Sequence, residues 1–207
     1  MNVLVIAPHP DDESIGCGGA LCKHADAGHR TVAVYLTSGE LGLKRLAREE
    51  AWRIREREAQ RAARILRILE VKFLRGPDWS VADKRKQLSK EVSVIVEREL
   101  PDLIYLPHPG EWHPDHKAAL PILRLALAKS GCKPPALRGY EVWTPLTEYD
   151  HVEDISRVFP RKLSALRAHR SQLAEFDYVR AVRGLNGFRG ALAGKCRFAE
   201  VFQTLNV

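Results

Sequence analysis

The sequence predicts an α/β fold, a Rossmann-like three-layer sandwich around a mostly parallel sheet. Three observations carry that expectation. Apolar, β-branched runs such as Val3-Leu4-Val5-Ile6 show no polar alternation, as in strands buried on both faces of a parallel sheet. Such runs alternate with amphipathic helical stretches from residue 2 to residue 129. No internal repeat, low-complexity linker or change of composition interrupts them. At 207 residues the chain has the length of one domain, and residues 1–207 are expected to fold as a single unit.

Residues 2–7 form the first strand. Ser14 to Ala27 follows as a helix whose first turn is rich in glycine (Gly16, Gly18, Gly19), which permits close packing on the sheet or backbone contact with a ligand. The spacing is not G-x-G-x-x-G and acidic residues precede it, so a dinucleotide site is disfavoured. Thr31 to Leu36 is the second strand, closing a β-α-β unit with a right-handed crossover. Ala47 to Leu69 is a long helix with apolar positions at Ile54, Ala59, Ala62, Ala63, Leu66 and Leu69 to cover the sheet. Val71 to Leu74 is a short strand ending in the turn Gly76-Pro77-Asp78-Trp79. Lys84 to Leu100 is a helix stopped by Pro101, Asp102 to Leu106 is the fourth strand, and Lys117 to Lys129 is a further helix. Beyond Arg138 the pattern changes: Gly139 to Trp143 is a strand, Asp154 to Phe176 is mainly helix, and no period is legible after Tyr178.

Composition narrows the function classes. A hydrophobic share of 45% and a charged share of 29% suit a soluble globular protein, and no apolar run approaches the length of a membrane span. The chain enters a strand at once, without a basic region or cleavage site, so a cytoplasmic location is expected. Cys17, Cys22, Cys132 and Cys196 form no C-x-x-C pair and suggest neither a zinc knuckle nor a disulfide framework. The net charge of +7 is concentrated between Lys44 and Lys72 and between Arg157 and Arg197. Aromatic residues are not interleaved with these stretches, so a solvated helix surface is favoured over a nucleic-acid site.

Ligands of doubly wound sheets bind beyond the carboxyl ends of the strands, and two chemistry-bearing stretches fall on that edge. The first, His9-Pro10-Asp11-Asp12-Glu13, places an imidazole and three carboxylates within five positions. His9 and Asp12 suit Zn²⁺, Fe²⁺ or a similar divalent ion, Asp11 is left free for proton chemistry, and Glu13 is expected to hold the turn through backbone N–H groups. The second, His113-Pro114-Asp115-His116, opens a helix. One of its two histidines would complete a set of three protein ligands and leave a position for water, the arrangement of a catalytic metal. Either stretch alone would serve as a helix cap; their pairing on one edge favours the metal.

On these residues the chain resembles the LmbE-like, or PIG-L, family of zinc-dependent N-acetylglucosamine de-N-acetylases. The resemblance rests on Pro8 to Glu13, Gly18-Gly19, Leu36 to Glu40, the Arg55 to Leu66 helix, Phe73-Leu74-x-x-Pro77-Asp78 and His113 to His116. It continues through Tyr140 to Pro145 and Lys162-x-x-Ala165-Leu166-x-x-His169-x-Ser171-Gln172, so it covers nearly the whole chain. It implies removal of an acetyl group from an N-acetylglucosamine-type sugar conjugate, with one divalent ion, Zn²⁺ or alternatively Fe²⁺. It makes His9, Asp12 and His116 the metal ligands, Asp11 the base that activates the attacking water, and His113 the group that steadies the oxyanion. Asp115 would orient a neighbouring histidine or form a buried couple with His113. Ser38, Glu40, Asp78 and Trp112 lie on the edge expected for sugar contacts, Trp112 as a stacking face. His169 and Gln172 are expected to seal the site. Arg75 and Arg183 are candidates for an anionic group on the substrate, by location alone.

The expected partner is thus a small amino-sugar conjugate, with no nucleic acid, no membrane and assembly into a homo-oligomer. Two other readings are weighed: a related amidase acting on a larger acyl amide or thiol conjugate, and a non-enzymatic nucleotide or nucleic-acid binding module. One departure from the family pattern stands at Leu66-Arg67-Ile68-Leu69, where a glycine usually ends the long helix; here the helix is expected to run on.

Overall fold

The computed structural model describes residues 1–206. A central sheet has the order β3-β2-β1-β4-β5-β7-β6, built from β1 (Asn2–Ala7), β2 (Arg30–Thr37), β3 (Glu70–Gly76), β4 (Leu103–Pro107), β5 (Ala136–Tyr140), β6 (His151–Asp154) and β7 (Ala199–Leu205). Strands β3, β2, β1, β4 and β5 are parallel, and β7 runs antiparallel to β5 and β6. Alternate residues of the buried strands feed opposite faces. Leu4, Ile6, Val32 and Val34 join a core with α4 (Arg85–Glu99) and α5 (Pro114–Ser130). Val3, Val5, Ala33 and Tyr35 join a second core with α2 (Gly18–Asp26), α3 (Arg48–Leu66) and α6 (Phe159–Leu166). The expected three-layer α/β sandwich is the observed one.

The sheet reverses its strand order at β1 and β4: the chain leaves β1 toward β2 and β3, then returns on the other side through β4 and β5. A crevice opens there because the two connections part in opposite directions. Each of the two histidine-bearing stretches follows one of these strands.

Element boundaries depart from the sequence reading where tertiary contacts intervene. The single helix expected over 14–27 is two, α1 (Asp12–Gly16) and α2, broken at Cys17. A buried ion pair holds the break. Lys162 donates to the Ile15 carbonyl at 2.7 Å and to Glu200 at 2.7 Å, while Glu200 accepts from the backbone N–H of Gly19 and Ala20 at 2.7 and 2.8 Å. The glycines are required by close approach: a Cβ on Gly16 would overlap the Tyr140 ring, and one on Gly19 would meet Ile155.

Helix α3 ends at Leu66, not Leu69, because Arg67 adopts the left-handed conformation (φ 60°) that glycine normally supplies at a helix end. Helix α5 starts at Pro114, three residues before the expected Lys117, because the His113 side chain accepts the Asp115 N–H and caps it. The strand expected at 139–143 ends at Tyr140. Strand β6 ends at Asp154, the stretch 154–176 holds α6 and the short α7 (Arg170–Leu173), and α8 (Tyr178–Arg189) and β7 occupy the tail where no period was legible.

Removing one member of a buried ion pair strands the other, at a cost of about 3–5 kcal/mol. Lys162→Met should therefore lower the unfolding free energy by about that amount, read from urea denaturation. A loss below about 1 kcal/mol would show that the pair does not anchor the break between α1 and α2.

Candidate metal centre and active site

Strand β1 delivers Pro8 and His9 into the crevice, and the chain then turns sharply at Asp11, whose φ of 121° is a strained conformation for a residue with a side chain. Three contacts hold it there. The Asp11 N–H donates to Glu13 at 3.1 Å, and Arg55 of α3 donates to the Asp11 carboxylate at 3.1 Å and to the Pro10 carbonyl at 2.6 Å. Arg55 also bonds the Gly39 carbonyl at 2.8 Å, tying the loops after β1 and β2 together. On the other side β4 leads to His113 at the N-cap of α5, so that Asp115 and His116 lie in the first helical turn.

The stretches converge. His9 Nδ1 lies 3.4 Å from Asp12 Oδ2, His116 Nε2 lies 3.3 Å from the same oxygen, and the two imidazole nitrogens are 3.3 Å apart. Donors about 2.0–2.1 Å from a tetrahedral ion stand about 3.3–3.4 Å from one another, so this triangle has the edge lengths of a three-ligand zinc site. At the opposite edge of the His9 ring Nε2 faces Asp78 and Asp115, each at 3.1 Å, so a neutral ring keeps its proton there and leaves the Nδ1 lone pair free for an ion. His113 joins His9 and His116 in a looser group of imidazoles. Its Nδ1 accepts the Asp115 N–H at 3.2 Å, which leaves the proton of the neutral ring on Nε2.

Electrostatics separates these groups. Burial pushes His113 down to about 4, with His9 and His116 adding to the effect, so it is neutral at ordinary pH. Burial opposes a charge on His116 as well, but Asp12 outweighs it and lifts this histidine to about 9. His9 is raised well above its usual range by Asp115, Asp12 and Asp78, against the effect of burial. Asp12 is held far below the usual carboxylate range by His116 and His9 despite its burial. Asp11 goes the other way: burial pushes it up to about 6, against the pull of Arg55.

Not every expected residue reaches the crevice. Ser38 is fully buried and donates to Glu56 at 2.6 Å, so it is not a sugar contact; the helix beside its loop takes the hydroxyl. Asp78 is corrected in the same way: its second oxygen accepts the Leu41 N–H at 2.8 Å and its first faces His9, so it supports the imidazole from behind. Glu40 is partly exposed and accepts from the Asp78 N–H at 3.4 Å. Trp112 is half exposed at the rim, its ring 5.4 Å from that of His113. The Asp115 carboxylate is buried and directed at His9, Trp79 N–H and Val81 N–H; its link to His113 runs through the backbone. Glu13 accepts the Asp11 N–H and also meets His169 at 3.3 Å. Arg75 is engaged with Glu56 and lies over Trp52, and Arg183 is exposed on α8.

Two residues escaped the sequence reading. Arg55 lies among the exposed Arg53, Arg57, Arg61 and Arg64, but its place four residues from both Ala51 and Ala59 puts it on the buried face of α3, and that period was the available signal. Glu111 is fully buried, with an oxygen 3.6 Å from His116 Nδ1, a nitrogen with no hydrogen-bond partner among the described residues. Its position two residues before His113 was the available signal.

Two imidazoles and a carboxylate at tetrahedral spacing, at the switch point of a doubly wound sheet, make a group that could hold a metal ion in an α/β protein. Comparison with known proteins gives the family. Residues 4–127 match the family model PIG-L, described as GlcNAc-PI de-N-acetylase. A diacetylchitobiose deacetylase of Thermococcus kodakarensis is 31% identical over 194 residues, spanning 84% of this chain and 71% of that protein. The structure of an N,N'-diacetylchitobiose deacetylase from Pyrococcus horikoshii superposes with a TM-score of 0.84 at 28% identity, covering 98% of this chain and 83% of the other. The chain belongs to the PIG-L family. The fold alone does not specify the reaction, since a 4-carboxy-2-hydroxymuconate hydratase from Pseudomonas putida shares it at a TM-score of 0.86, 23% identity and coverage of 100% of this chain and 97% of that one.

Because His116 is raised to about 9, the chelated protein carries a proton there at neutral pH that an ion must displace. Zinc affinity should rise with pH up to about 9, and calorimetry in buffers of different ionisation enthalpy should show proton release at pH 7. The stability linked to this histidine has the opposite sign: in the chelated protein it is full below the unfolded value of about 6.5 and lost as pH climbs through about 9. Zinc uptake at pH 7 with no proton release would contradict the assignment.

Proposed function

We propose that the protein is a metal-dependent hydrolase that removes the acetyl group from an N-acetylglucosamine-type sugar conjugate, releasing acetate and a free amine. The observation that carries this reading is the triangle of His9 Nδ1, Asp12 Oδ2 and His116 Nε2, flanked by a base on one side and a neutral imidazole on the other. The family match and the deacetylase activity named for its relatives support the reaction class.

His9, Asp12 and His116 hold the ion, which when bound supplies Lewis acidity toward water and the amide carbonyl. Zn²⁺ is the proposed ion on the strength of the mixed nitrogen and oxygen ligands and their spacing, with Fe²⁺ as the alternative. Asp11 takes the proton of the attacking water and returns it to the leaving amine; burial raises its basicity toward the value that both transfers need, and Arg55 fixes its direction. His113, neutral with its proton on Nε2, donates to the carbonyl oxygen as negative charge develops there. Asp115 and Asp78 hold His9, and Asp115 acts as a positioning residue.

No helix among the described residues is long and apolar enough to cross a membrane. A cytoplasmic location, a homo-oligomeric state and the absence of a nucleic-acid partner are proposed with this reading. So is a single domain over residues 1–207.

The test is acetate release from N-acetylglucosamine conjugates by protein loaded with Zn²⁺ or with Fe²⁺. Asp11→Asn should keep the metal and lose about 10²- to 10⁴-fold in kcat, whereas His116→Ala should lose the metal. Acetate release at wild-type rate by either variant would sink the assignment. Release of larger acyl groups in place of acetate would move the reading to the amidase.

A further inference from the structure

The residues around His113 present an unbroken run of aromatic rings that the metal chemistry does not use. The Trp79 and Trp112 rings lie 4.5 and 5.4 Å from that of His113, and Trp112 is followed by Trp143 at 6.0 Å and Phe176 at 5.6 Å beyond it. Three of these rings are about half exposed: Trp79 and Trp112 at 51% each, and Phe176 at 53%. Large apolar side chains held open to water beside a reaction centre call for an occupant, since a soluble protein gains by covering them.

The backbone that carries the three tryptophans is tied to the residues around His9 and His116. Asp115, which faces His9 Nε2 at 3.1 Å, also accepts the Trp79 N–H at 2.7 Å and so holds Trp79 at φ 68°, a left-handed conformation costly for a bulky residue. Glu111, which faces His116 Nδ1 at 3.6 Å, accepts the N–H groups of Val142, Trp143 and Thr144 at 2.8, 3.0 and 3.2 Å. The Thr144 hydroxyl in turn accepts the Trp112 N–H at 3.1 Å. Each metal-ligand imidazole is thus backed by a buried carboxylate whose remaining valence clamps a rim tryptophan. Strain and buried charge spent on exposed rings mark a built site.

We propose that Trp79, Trp112, Trp143 and Phe176 form an aglycone subsite that stacks a second pyranose ring, joined to the sugar being deacetylated. The proposal rests on the deacetylase reading and names its substrate class as an oligosaccharide. Neighbouring rings are tilted by 52–81° from one another, which offers separate ring-sized faces in place of a continuous apolar floor. A pyranose has a C–H face to lay on an indole and a rim of hydroxyls that must stay in water, and a half-exposed ring serves both. An acyl chain would need enclosure on most of its surface. The double clamp keeps this subsite in register with the metal ligands, so an acetamide carbonyl can reach His113 while the next ring meets the tryptophans.

The experiment compares kcat/KM for N-acetylglucosamine and N,N'-diacetylchitobiose with metal-loaded protein. One or two stacked faces should make the wild-type protein prefer the disaccharide by roughly tenfold. The double variant Trp112→Ala/Phe176→Ala should bring that ratio close to unity, whereas Leu69→Ala, at a still more exposed apolar residue at the opposite end of the strands, should leave it unchanged. Both rim side chains are half exposed, so the fold tolerates their truncation. A ratio untouched by the double variant overturns the proposal. An octyl glycoside of N-acetylglucosamine that gains as much as the disaccharide also overturns it, in favour of an apolar chain. So does a fall in oligomer mass of the variant without a change in ratio, which would make the rim a subunit contact. If neither sugar is hydrolysed, the deacetylase reading fails separately. Quenching of tryptophan fluorescence by chitobiose, lost in the double variant, would then still support the subsite, and absence of quenching would overturn it.

Discussion

The contact between His116 and Asp12 at the mouth of the sheet is the interaction on which the remaining architecture depends. Both groups are almost entirely buried, and a charge in such a place is tolerated only when it is paired and its remaining hydrogen-bonding capacity is met. That requirement propagates outward. His9 shares the Asp12 oxygen and needs Asp115 and Asp78 behind it; Asp115 needs the N–H groups of Trp79 and Val81; Asp78 needs that of Leu41. The loops after β2 and β3, with no ligand of their own, are thereby drawn into the metal centre.

A second chain of partners supports Asp11. Asp11 is strained in its backbone and is held there by Arg55 and Glu13, while burial raises its pKa against the pull of Arg55. Glu13 in turn meets His169, which immediately precedes α7, and Glu58 of α3 binds the Ser171 N–H and hydroxyl. Helix α3 therefore covers the sheet and also acts as a strut, holding Asp11 through Arg55 and the start of α7 through Glu58. In the proposed mechanism the ligands and the proton-transfer group thus rest on different supports.

The fold was legible because its signals are local. Unbroken apolar runs specify buried strands, helical periodicity specifies their covers, and the chain order of the two brings His9 and His116 to one edge whatever the details. Boundaries failed where a distant residue decided them. Glu200 and Lys162 split the first helix from more than a hundred residues away, and β7 inserts between β5 and β6 from a tail without legible period. Ser38 and Asp78 carried the residue types of sugar contacts on the expected edge, yet their side chains turn inward to Glu56 and His9, a choice of rotamer that spacing does not encode.

The sequence by itself determined the α/β class, the edge that holds the site and the members of its two histidine stretches, because ligand chemistry and strand patterning are properties of short segments. Only the tertiary structure decided which atoms meet. It turned His9 Nδ1 toward Asp12, left the proton of a neutral His113 on Nε2, aimed Arg55 at Asp11, and enlisted Asp115 and Glu111 to link His9 and His116 to the tryptophan rim. Those outcomes follow from pairing buried charges across long stretches of chain, and the requirement that each be satisfied is met in space, not along the sequence.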